Sequence, residues 1–214
     1  MKPILIGCEE SGTITTLFRE AGFEAYSCDT EPTRGNPAWH YQMDIKECIK
    51  QHGPWSLIIL HPPCTALAVC SNKHYAAGKP NHQQRLDDID WTWGLWKTAK
   101  EEAKHVALEN PASVIWPHLR KVGANVQFIQ PYQFGNLEQK KTGFALHNLP
   151  PLVGTKNVYS EMMLLPKRER ERVFHMPPSA TRARDRSVTY SGIAAAIVDQ
   201  WGRAIMEQEQ AVRL

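Results

Sequence analysis

The stretch Trp55–Leu60, with the sequence WSLIIL, constrains the fold more than any other part of the chain. Its apolar residues do not alternate with polar ones, so the strand that they predict is buried on both faces. Strands of that kind occur in parallel sheets that carry helices on each side. With 214 residues, the chain is long enough for one such α/β domain with a sizeable core.

Apolar patterns elsewhere in the chain predict strands that alternate with helices. This alternation is typical of a doubly wound, mostly parallel sheet, and we expect residues 1–214 to form a single domain. Further strands are predicted over Pro3–Cys8, Glu24–Cys28, Val106–Leu108, Ala124–Tyr132 and Gly143–Leu146, and helices over Ser11–Ala21, Ile45–Gln51, His82–Lys104, Ser113–Val122 and Gly192–Gln210. A polar loop is predicted over Thr30–Tyr41 and an irregular, charged segment over Pro150–Pro178.

The longest predicted helix, His82–Lys104, carries its apolar residues at helical spacing. We expect Ile89, Trp93, Trp96 and Ala99 to form one buried face of it. The polar stretch Val69–Pro80 before this helix could close over a bound ligand as a lid, or simply connect two elements.

Ligands of doubly wound sheets bind at the carboxyl ends of the strands. Four chemically distinctive stretches lie at predicted strand ends. They are Gly7–Thr13, Asp29, His61–Thr65 and Glu109–Pro111.

The first of these stretches, Gly7–Thr13, predicts a tight turn close to a ligand, because it contains two glycines. Asp29 at the next strand end could hold ribose hydroxyls. Glu9 and Glu10 would repel a pyrophosphate, so a ligand with ribose and adenine but no phosphates fits better. S-adenosylmethionine has that character. Asp44 could contact the adenine edge, or it could cap the helix that follows it.

Cys64 and Glu109 are the candidate reactive residues. Two prolines stiffen the approach to Cys64, and a position at the start of a loop or helix can lower the thiol pKa; the alternative is a buried structural cysteine. Glu109 follows another strand and faces the same crevice. Partial burial is expected to raise its pKa, so that it can donate a proton at neutral pH; the alternative is a capping or ion-paired glutamate.

In this order the motifs resemble those of the DNA cytosine-5 methyltransferases, in the short form often carried by phages and prophages. Pro63-Cys64 is similar to the nucleophile motif, and Glu109-Asn110 to the Glu-Asn-Val motif, with Pro111 in place of valine. Phe134–Lys141 resembles the Phe-Gly…Gln-x-Arg-x-Arg segment, with lysines for arginines, and Tyr190–Ile193 resembles the closing motif. The chain departs from the pattern at Glu10 and Thr13, which occupy glycine positions, and at Thr65, which replaces a glutamine.

The resemblance implies a Rossmann-like methyltransferase fold and the transfer of a methyl group from S-adenosyl-L-methionine to C5 of cytosine in DNA. Cys64 would form a covalent adduct with the ring, and Glu109 would bind N3 and the exocyclic amine. The cofactor residues would be Gly7, Cys8, Glu9, Ser11, Gly12, Thr13, Asp29, Asp44, Pro62 and Ser191. The substrate residues would be Pro63, Asn110, Lys140, Lys141, Arg182, Arg184 and Arg186.

The region that would recognise the target, Leu149–Ser187, is much shorter than the family usually has. Within it, Leu152–Arg186 contains eight Lys or Arg residues against four acids, which makes it a candidate for phosphate contacts or a salt-bridged, solvated surface. We therefore expect DNA as the partner, with single-stranded DNA, RNA or a free cytosine nucleotide as alternatives.

Cysteine usage and hydropathy exclude several other classes. The chain has five cysteines without a close CxxC pair, which argues against a disulfide framework and against a metal site. No apolar run is long enough to cross a membrane, and we expect a cytoplasmic protein. Two other functions stay open: a non-catalytic protein that binds S-adenosylmethionine or DNA, and a cysteine hydrolase that uses His61 or His105 as its base.

Overall fold

The computed structural model describes residues 2–211. Seven strands form one sheet in the order β3-β2-β1-β4-β5-β7-β6, parallel except for β7, which runs antiparallel to both of its neighbours. The strands are β1 (Ile4–Gly7), β2 (Ala25–Asp29), β3 (His40–Gln42), β4 (Trp55–Leu60), β5 (Ala103–Pro111), β6 (Asn125–Ile129) and β7 (Thr142–His147).

Helices flank the sheet and connect its strands. They are α1 (Thr13–Glu20), α2 (Ile45–His52), α3 (Asn72–Tyr75), α4 (His82–Glu102), α5 (Trp116–Lys121), α6 (Tyr159–Met163), α7 (Lys167–Arg170), α8 (Arg172–His175), α9 (Arg182–Ser187) and α10 (Ser191–Ala211).

Strand β4 is buried along its whole length, as its sequence predicts. One face of the sheet packs against α1 and α10, through residues such as Phe18 and Trp201. The other face packs against α2, α4 and α5, through residues such as Ile49 and Trp96. Helices therefore cover both faces, and the predicted doubly wound, mostly parallel, Rossmann-like sheet is confirmed.

Three local predictions differ from the structure. Strand β5 continues to Pro111 because its carboxyl half pairs with β7, so Glu109 lies opposite Phe144 inside the strand. Strand β3 and a short 3-10 turn lie where a loop was predicted, because β2 provides pairing partners for a polar segment. The segment predicted to be irregular contains α6, α7 and α8.

The buried face of α4 is also different from the predicted one. Trp96 and Ala99 are buried as expected, but Trp93 is 41% exposed. Its place against the sheet is taken by Thr92 and Leu95. The stripe that contacts the core is rotated toward these residues, and this leaves Trp93 at the solvent edge.

Between residues 2 and 211, no helix is long and apolar enough to cross a membrane. No group of three or more His, Cys, Asp or Glu residues there could hold a metal ion.

Candidate active site

The four stretches at predicted strand ends meet at one edge of the sheet. Gly7 pairs in register with Cys28 on one side and with Leu60 on the other, and Leu60 pairs with Leu108. The chain therefore leaves β1, β2 and β4 near the level at which β5 passes from Leu108 to Glu109, which is still paired with β7. The backbone amide of His61 also donates to the carbonyl oxygen of Gly7 at 2.9 Å, which ties the loop that carries Cys64 to the glycine turn.

Cys64 lies on this loop, partly buried, and its carbonyl oxygen accepts a hydrogen bond from the amide of Ala68 at 2.8 Å. Burial raises the pKa of its thiol, and the negative charge of Glu109 raises it further. The positive charges of Lys140 and Arg186 lower it without reversing the shift. The predicted lowering of this pKa is therefore wrong, because desolvation outweighs the nearby cations. The resting thiol has to lose a proton before it can act as a nucleophile.

Glu109 projects from β5 toward His61, whose Nδ1 atom lies 3.4 Å from Oε2 of the carboxylate. Burial raises the pKa of Glu109, but the hydrogen bond from His61 and the positive charge of Lys140 outweigh it. The net pKa lies below its ordinary value, so the predicted rise is wrong. Glu109 is ionised at neutral pH and carries no proton of its own to donate.

Lys140 and Lys141 point to different places. The Lys140 ammonium donates to the carbonyl oxygen of Arg186 at 3.1 Å, and its backbone amide donates to Gln130 Oε1 at 3.0 Å. Its charge acts on both Cys64 and Glu109. Lys141 is exposed, and its Nζ lies 4.5 Å from the centre of the Phe128 ring. The structure brings Lys140 to the site and leaves Lys141 away from it.

The arginines of α9 also differ from one another. Arg186 is close enough to Cys64 for its charge to lower the thiol pKa. Arg182 uses its Nε atom to donate to the carbonyl oxygen of Met176 at 2.8 Å. The Arg184 side chain is exposed to solvent.

The glycine turn uses most of its polar groups internally. The Glu9 carboxylate accepts from the amide of Ile14 at 2.6 Å and from the hydroxyl of Thr15 at 2.7 Å, so it caps the start of α1. The amide of Cys8 donates to the carbonyl oxygen of Cys28 at 2.7 Å, and Ser11 Oγ accepts from the amide of Thr13 at 3.3 Å. Cofactor contacts through the Glu9 carboxylate would have to displace these bonds.

Gly12, at φ 67°, adopts a left-handed conformation with Gly35 packed against it. A Cβ atom on Gly12 would collide with the backbone of Gly35, and one on Gly35 would be crowded by the backbone of Gly12. The turn is therefore closed by the loop after β2, which Arg34 ties down by pairing with Glu10. This contact also neutralises one of the two acids of the turn.

Asp29 and Asp44 face the same corner beside Cys8. Burial, followed by the charges of Asp29 and Asp44, raises the pKa of the Cys8 thiol to about 12. Asp44 Oδ1 accepts from the amide of Lys46 at 2.8 Å, so the capping alternative is observed. Asp29 Oδ1 accepts from the amide of Glu31 at 3.0 Å. The second oxygen of each carboxylate has no hydrogen-bond partner between residues 2 and 211, which leaves two acceptors for a ligand.

The two distant segments singled out by resemblance contact each other. Asn136 Oδ1 accepts from the amide of Gly192 at 3.2 Å, and Asn136 Nδ2 donates to Ser191 Oγ at 3.4 Å. The Tyr190 hydroxyl donates to Glu138 Oε2 at 2.9 Å. The start of α10, with Ser191, is therefore fixed to the segment that carries Lys140.

Asn110 and Arg85 hold the loop that carries Cys64. Asn110 is fully buried and donates from Nδ2 to the carbonyl oxygen of Pro62 at 3.3 Å. The next residue of the loop, Pro63, is exposed. Arg85 of α4 is 5% exposed and donates to the carbonyl oxygens of Ala66 at 2.7 Å and Ala68 at 3.4 Å. Sequence reasoning missed Arg85, because nothing in the pattern of α4 marks a buried charge.

The stretch Val69–Pro80 begins with a 3-10 turn and contains α3. It is anchored by Arg85, which donates to Asn72 Oδ1 at 2.8 Å.

A scan against protein-family models gives no match, and neither does a search of curated proteins. Among solved structures, the chain is similar to a prophage-encoded DNA modification methyltransferase of E. coli, with 12% identity and a TM-score of 0.46 over 68% of this chain and 46% of that one. It is also similar to the S. pombe Dnmt2 methyltransferase, with 14% identity and a TM-score of 0.47 over 95% of this chain and 67% of that one. The chain thus spans just under half of the prophage protein. At this degree of likeness, function has to be argued from the residues of the site.

Chemically, the site combines a thiol, a carboxylate and an ammonium group beside a corner with two unused carboxylate oxygens. A thiolate can add to an electron-poor ring, and a carboxylate with a nearby cation can bind the polar edge of that ring. Within residues 2–211 no histidine hydrogen bonds to the Cys64 sulfur; His61 faces Glu109, and His105 bonds to the carbonyl oxygen of Asn148 at 2.7 Å. A hydrolase needs a histidine base beside the thiol, so this arrangement argues against that alternative.

Proposed function

We propose that this chain is an S-adenosylmethionine-dependent methyltransferase that methylates C5 of cytosine in DNA through a covalent adduct with Cys64. The observation that carries the proposal is the convergence of Cys64, Glu109 and Lys140 at the carboxyl edge of the sheet. The corner formed by Asp29 and Asp44 lies at the same edge, where β2 is two strands away from β4, the strand that leads to Cys64. A methyl acceptor and a methyl donor that bind there would share one crevice.

The cytosine ring needs covalent activation, because C5 is not nucleophilic by itself. The Cys64 thiol loses its proton to solvent, and its sulfur bonds to C6 while N3 is protonated. The electron pair that this addition places on C5 then takes up the methyl group. Solvent takes the C5 proton, N3 gives up the proton that it had gained, and the C6–S bond breaks to release the Cys64 thiolate, which restores the aromatic ring. Glu109 holds N3 and the exocyclic amine throughout, and Lys140 stabilises its carboxylate.

The residues of the cofactor corner fit S-adenosylmethionine, which would supply the methyl group as an electrophile. Asp29 would accept from the ribose hydroxyls and Asp44 from the adenine amine, each through the oxygen that the protein leaves unused. Gly7 and Gly12 allow the backbone of the turn to approach the ligand. Pro62 from the Cys64 loop and Ser191 from the start of α10 are the further cofactor contacts that we propose.

We infer that residues 1–214 work as one domain, with Leu149–Ser187 as a short recognition segment. Several of its charges are already paired: Arg172 with Glu138 at 2.9 Å, and Lys167 with Glu171 at 4.0 Å. Arg184, which is exposed on α9, and Arg186, whose charge reaches Cys64, are the better candidates for phosphate contacts, together with Lys140. This small set of cations supports a modest DNA footprint.

A methyl-transfer assay tests the proposal. Labelled S-adenosylmethionine is offered with duplex DNA, single-stranded DNA, RNA and dCMP, each with wild type, Cys64→Ser and Cys70→Ser. Cys70 is an exposed cysteine in the 3-10 turn that follows the Cys64 loop, and it serves as the matched control. We expect label at cytosine C5 of DNA with wild type and Cys70→Ser, and none with Cys64→Ser. Transfer that survives in Cys64→Ser would overturn the proposal, and transfer to RNA or dCMP alone would replace the substrate.

A further inference from the structure

His61 lies between two carboxylates at the centre of the site. Its Nδ1 atom is 3.4 Å from Glu109 Oε2, and its side chain is 10% exposed. On the other side its charge acts on Glu9. The second ring nitrogen, Nε2, is buried without a hydrogen-bond partner in the described chain. A buried imidazole with one nitrogen on a functional carboxylate and the other unused is placed for more than packing.

The function proposed above needs a proton that Glu109 does not hold. N3 of cytosine gains a proton when the Cys64 sulfur bonds to C6. Glu109 is the residue assigned to N3, yet its carboxylate is ionised in the resting site. A proton has to reach Glu109 from a neighbour before each turnover.

The groups that face Glu109 leave one candidate for this neighbour. The Lys140 ammonium donates to the carbonyl oxygen of Arg186 and acts on Glu109 through its charge. Cys64 gives up its proton as it becomes a nucleophile, and Glu9, on the other side of His61, uses both carboxylate oxygens to accept from the start of α1. His61 is the side chain that hydrogen bonds to Glu109.

We propose that His61 is a positioning residue that acts through Glu109. It supplies the proton that Glu109 donates to N3 of the target cytosine, and it takes this proton back when the product forms. This inference rests on the proposed function. In the forward step, the Nδ1–H bond of the imidazolium breaks and a bond from this proton to Glu109 Oε2 forms. Glu109 then passes the proton to N3 as the Cys64 sulfur bonds to C6. When Cys64 leaves, N3 returns the proton by the same route, so no further reactant is needed.

The first test does not depend on activity. The carboxyl carbon of Glu109 is followed by NMR against pH in glutamate-labelled wild type and in His61→Asn. We expect the titration midpoint of Glu109 to move to higher pH in His61→Asn, because the hydrogen bond and the positive charge of His61 lower the pKa of this carboxyl against the effect of burial. An unchanged midpoint would overturn the inference. Wild type that transfers no methyl group to any cytosine would overturn the proposed function, while this titration would still decide whether the two residues share a proton.

The second test separates the proton from simple anchoring. His61→Asn places an N–H donor near the position of Nδ1 but cannot carry an extra proton. In single-turnover methyl transfer between pH 5 and pH 9, His61→Asn should lose least at the acid end, because without the imidazolium charge burial raises the pKa of Glu109, which can then take a proton from solvent. Its rate should fall on the alkaline side at lower pH than that of wild type, with a loss of roughly 10²-fold at the alkaline end. A profile of wild-type shape in His61→Asn would show that His61 is only an anchor and would overturn the inference.

His61→Ala completes the series, because it removes both the donor and the proton. We expect a low rate at every pH, with S-adenosylmethionine binding and melting temperature close to those of wild type. If His61→Ala fails to fold, the comparison of His61→Asn with wild type still decides the question.

Discussion

Gly192, at the start of α10, lies directly against the carbonyl oxygen of Phe134, so that no Cβ atom fits between them. This contact fixes the last helix to the segment that carries Lys140. It joins parts of the chain that are far apart in sequence, with no side chain between the start of α10 and the backbone of Phe134.

Gly192→Ala should therefore lower the free energy of unfolding by about 1–3 kcal/mol, because α10 has to move away from Phe134. Denaturant unfolding measures the change. Gly94→Ala on α4 is the matched control: its added Cβ would meet only the flexible end of Lys46, and alanine favours the helix. A control that loses as much stability as Gly192→Ala would contradict this explanation.

Arg85→Met should also destabilise the fold, because the buried carbonyl oxygens of Ala66 and Ala68 lose their donor. The expected loss is about 1–3 kcal/mol, and the methyl-transfer rate should fall with it as the Cys64 loop loosens. Arg203→Met removes an exposed arginine that pairs with Asp199 and should cost less than about 0.5 kcal/mol. Equal losses of unfolding free energy in the two variants would contradict the role of Arg85 in holding the Cys64 loop.

Lys140→Gln should raise the pKa of Cys64 further, because the ammonium is one of the two charges that lower it. The thiolate is the reactive form, so the pH dependence of Cys64 alkylation by iodoacetamide should move to higher pH. Lys141→Gln should leave this dependence unchanged, since Lys141 lies against Phe128. Parallel shifts in both variants would contradict the placement of the two lysines.

Substitutions of Asp44 can separate its role as the cap of α2 from its proposed role in cofactor binding. Asp44→Ser keeps a cap for α2 and should be nearly as stable as wild type, whereas Asp44→Ala should lose about 1 kcal/mol. Both variants should bind S-adenosylmethionine roughly tenfold more weakly if the free carboxylate oxygen contacts the adenine. Calorimetry of cofactor binding checks this, and wild-type affinity in Asp44→Ser would restrict Asp44 to the cap.

The sequence predicted where the reactive residues lie better than it predicted their ionisation. The buried pattern of β4 and the strand ends after it placed Cys64 and Glu109 at one edge of the sheet. Their pKa values depend on His61, Lys140 and Arg186, which come from other parts of the chain. Both predicted shifts had the wrong sign, because burial and charge act through contacts that a linear pattern does not contain.

Two further differences have the same origin. The Glu9 carboxylate accepts hydrogen bonds from the backbone amides of Ile14 and Thr15 at the start of α1. These amides need an acceptor only because the helix begins at Thr13. Trp93 is exposed because α4 rotates to bury Arg85 and Leu95. In each case a local pattern was consistent with two arrangements, and tertiary contacts chose between them.

The central claim, a covalent bond between Cys64 and C6 of cytosine, can be measured directly by trapping. A fluorine atom at C5 cannot be lost as a proton is, so DNA that contains 5-fluorocytosine should stop the reaction at the adduct in the presence of S-adenosylmethionine. The account predicts a stable complex of one protein chain with one DNA strand, and mass spectrometry of its peptides should place the bond on Cys64. An adduct on another residue would contradict the account, as would methyl transfer by the wild type to ordinary cytosine without any adduct on the fluorinated DNA.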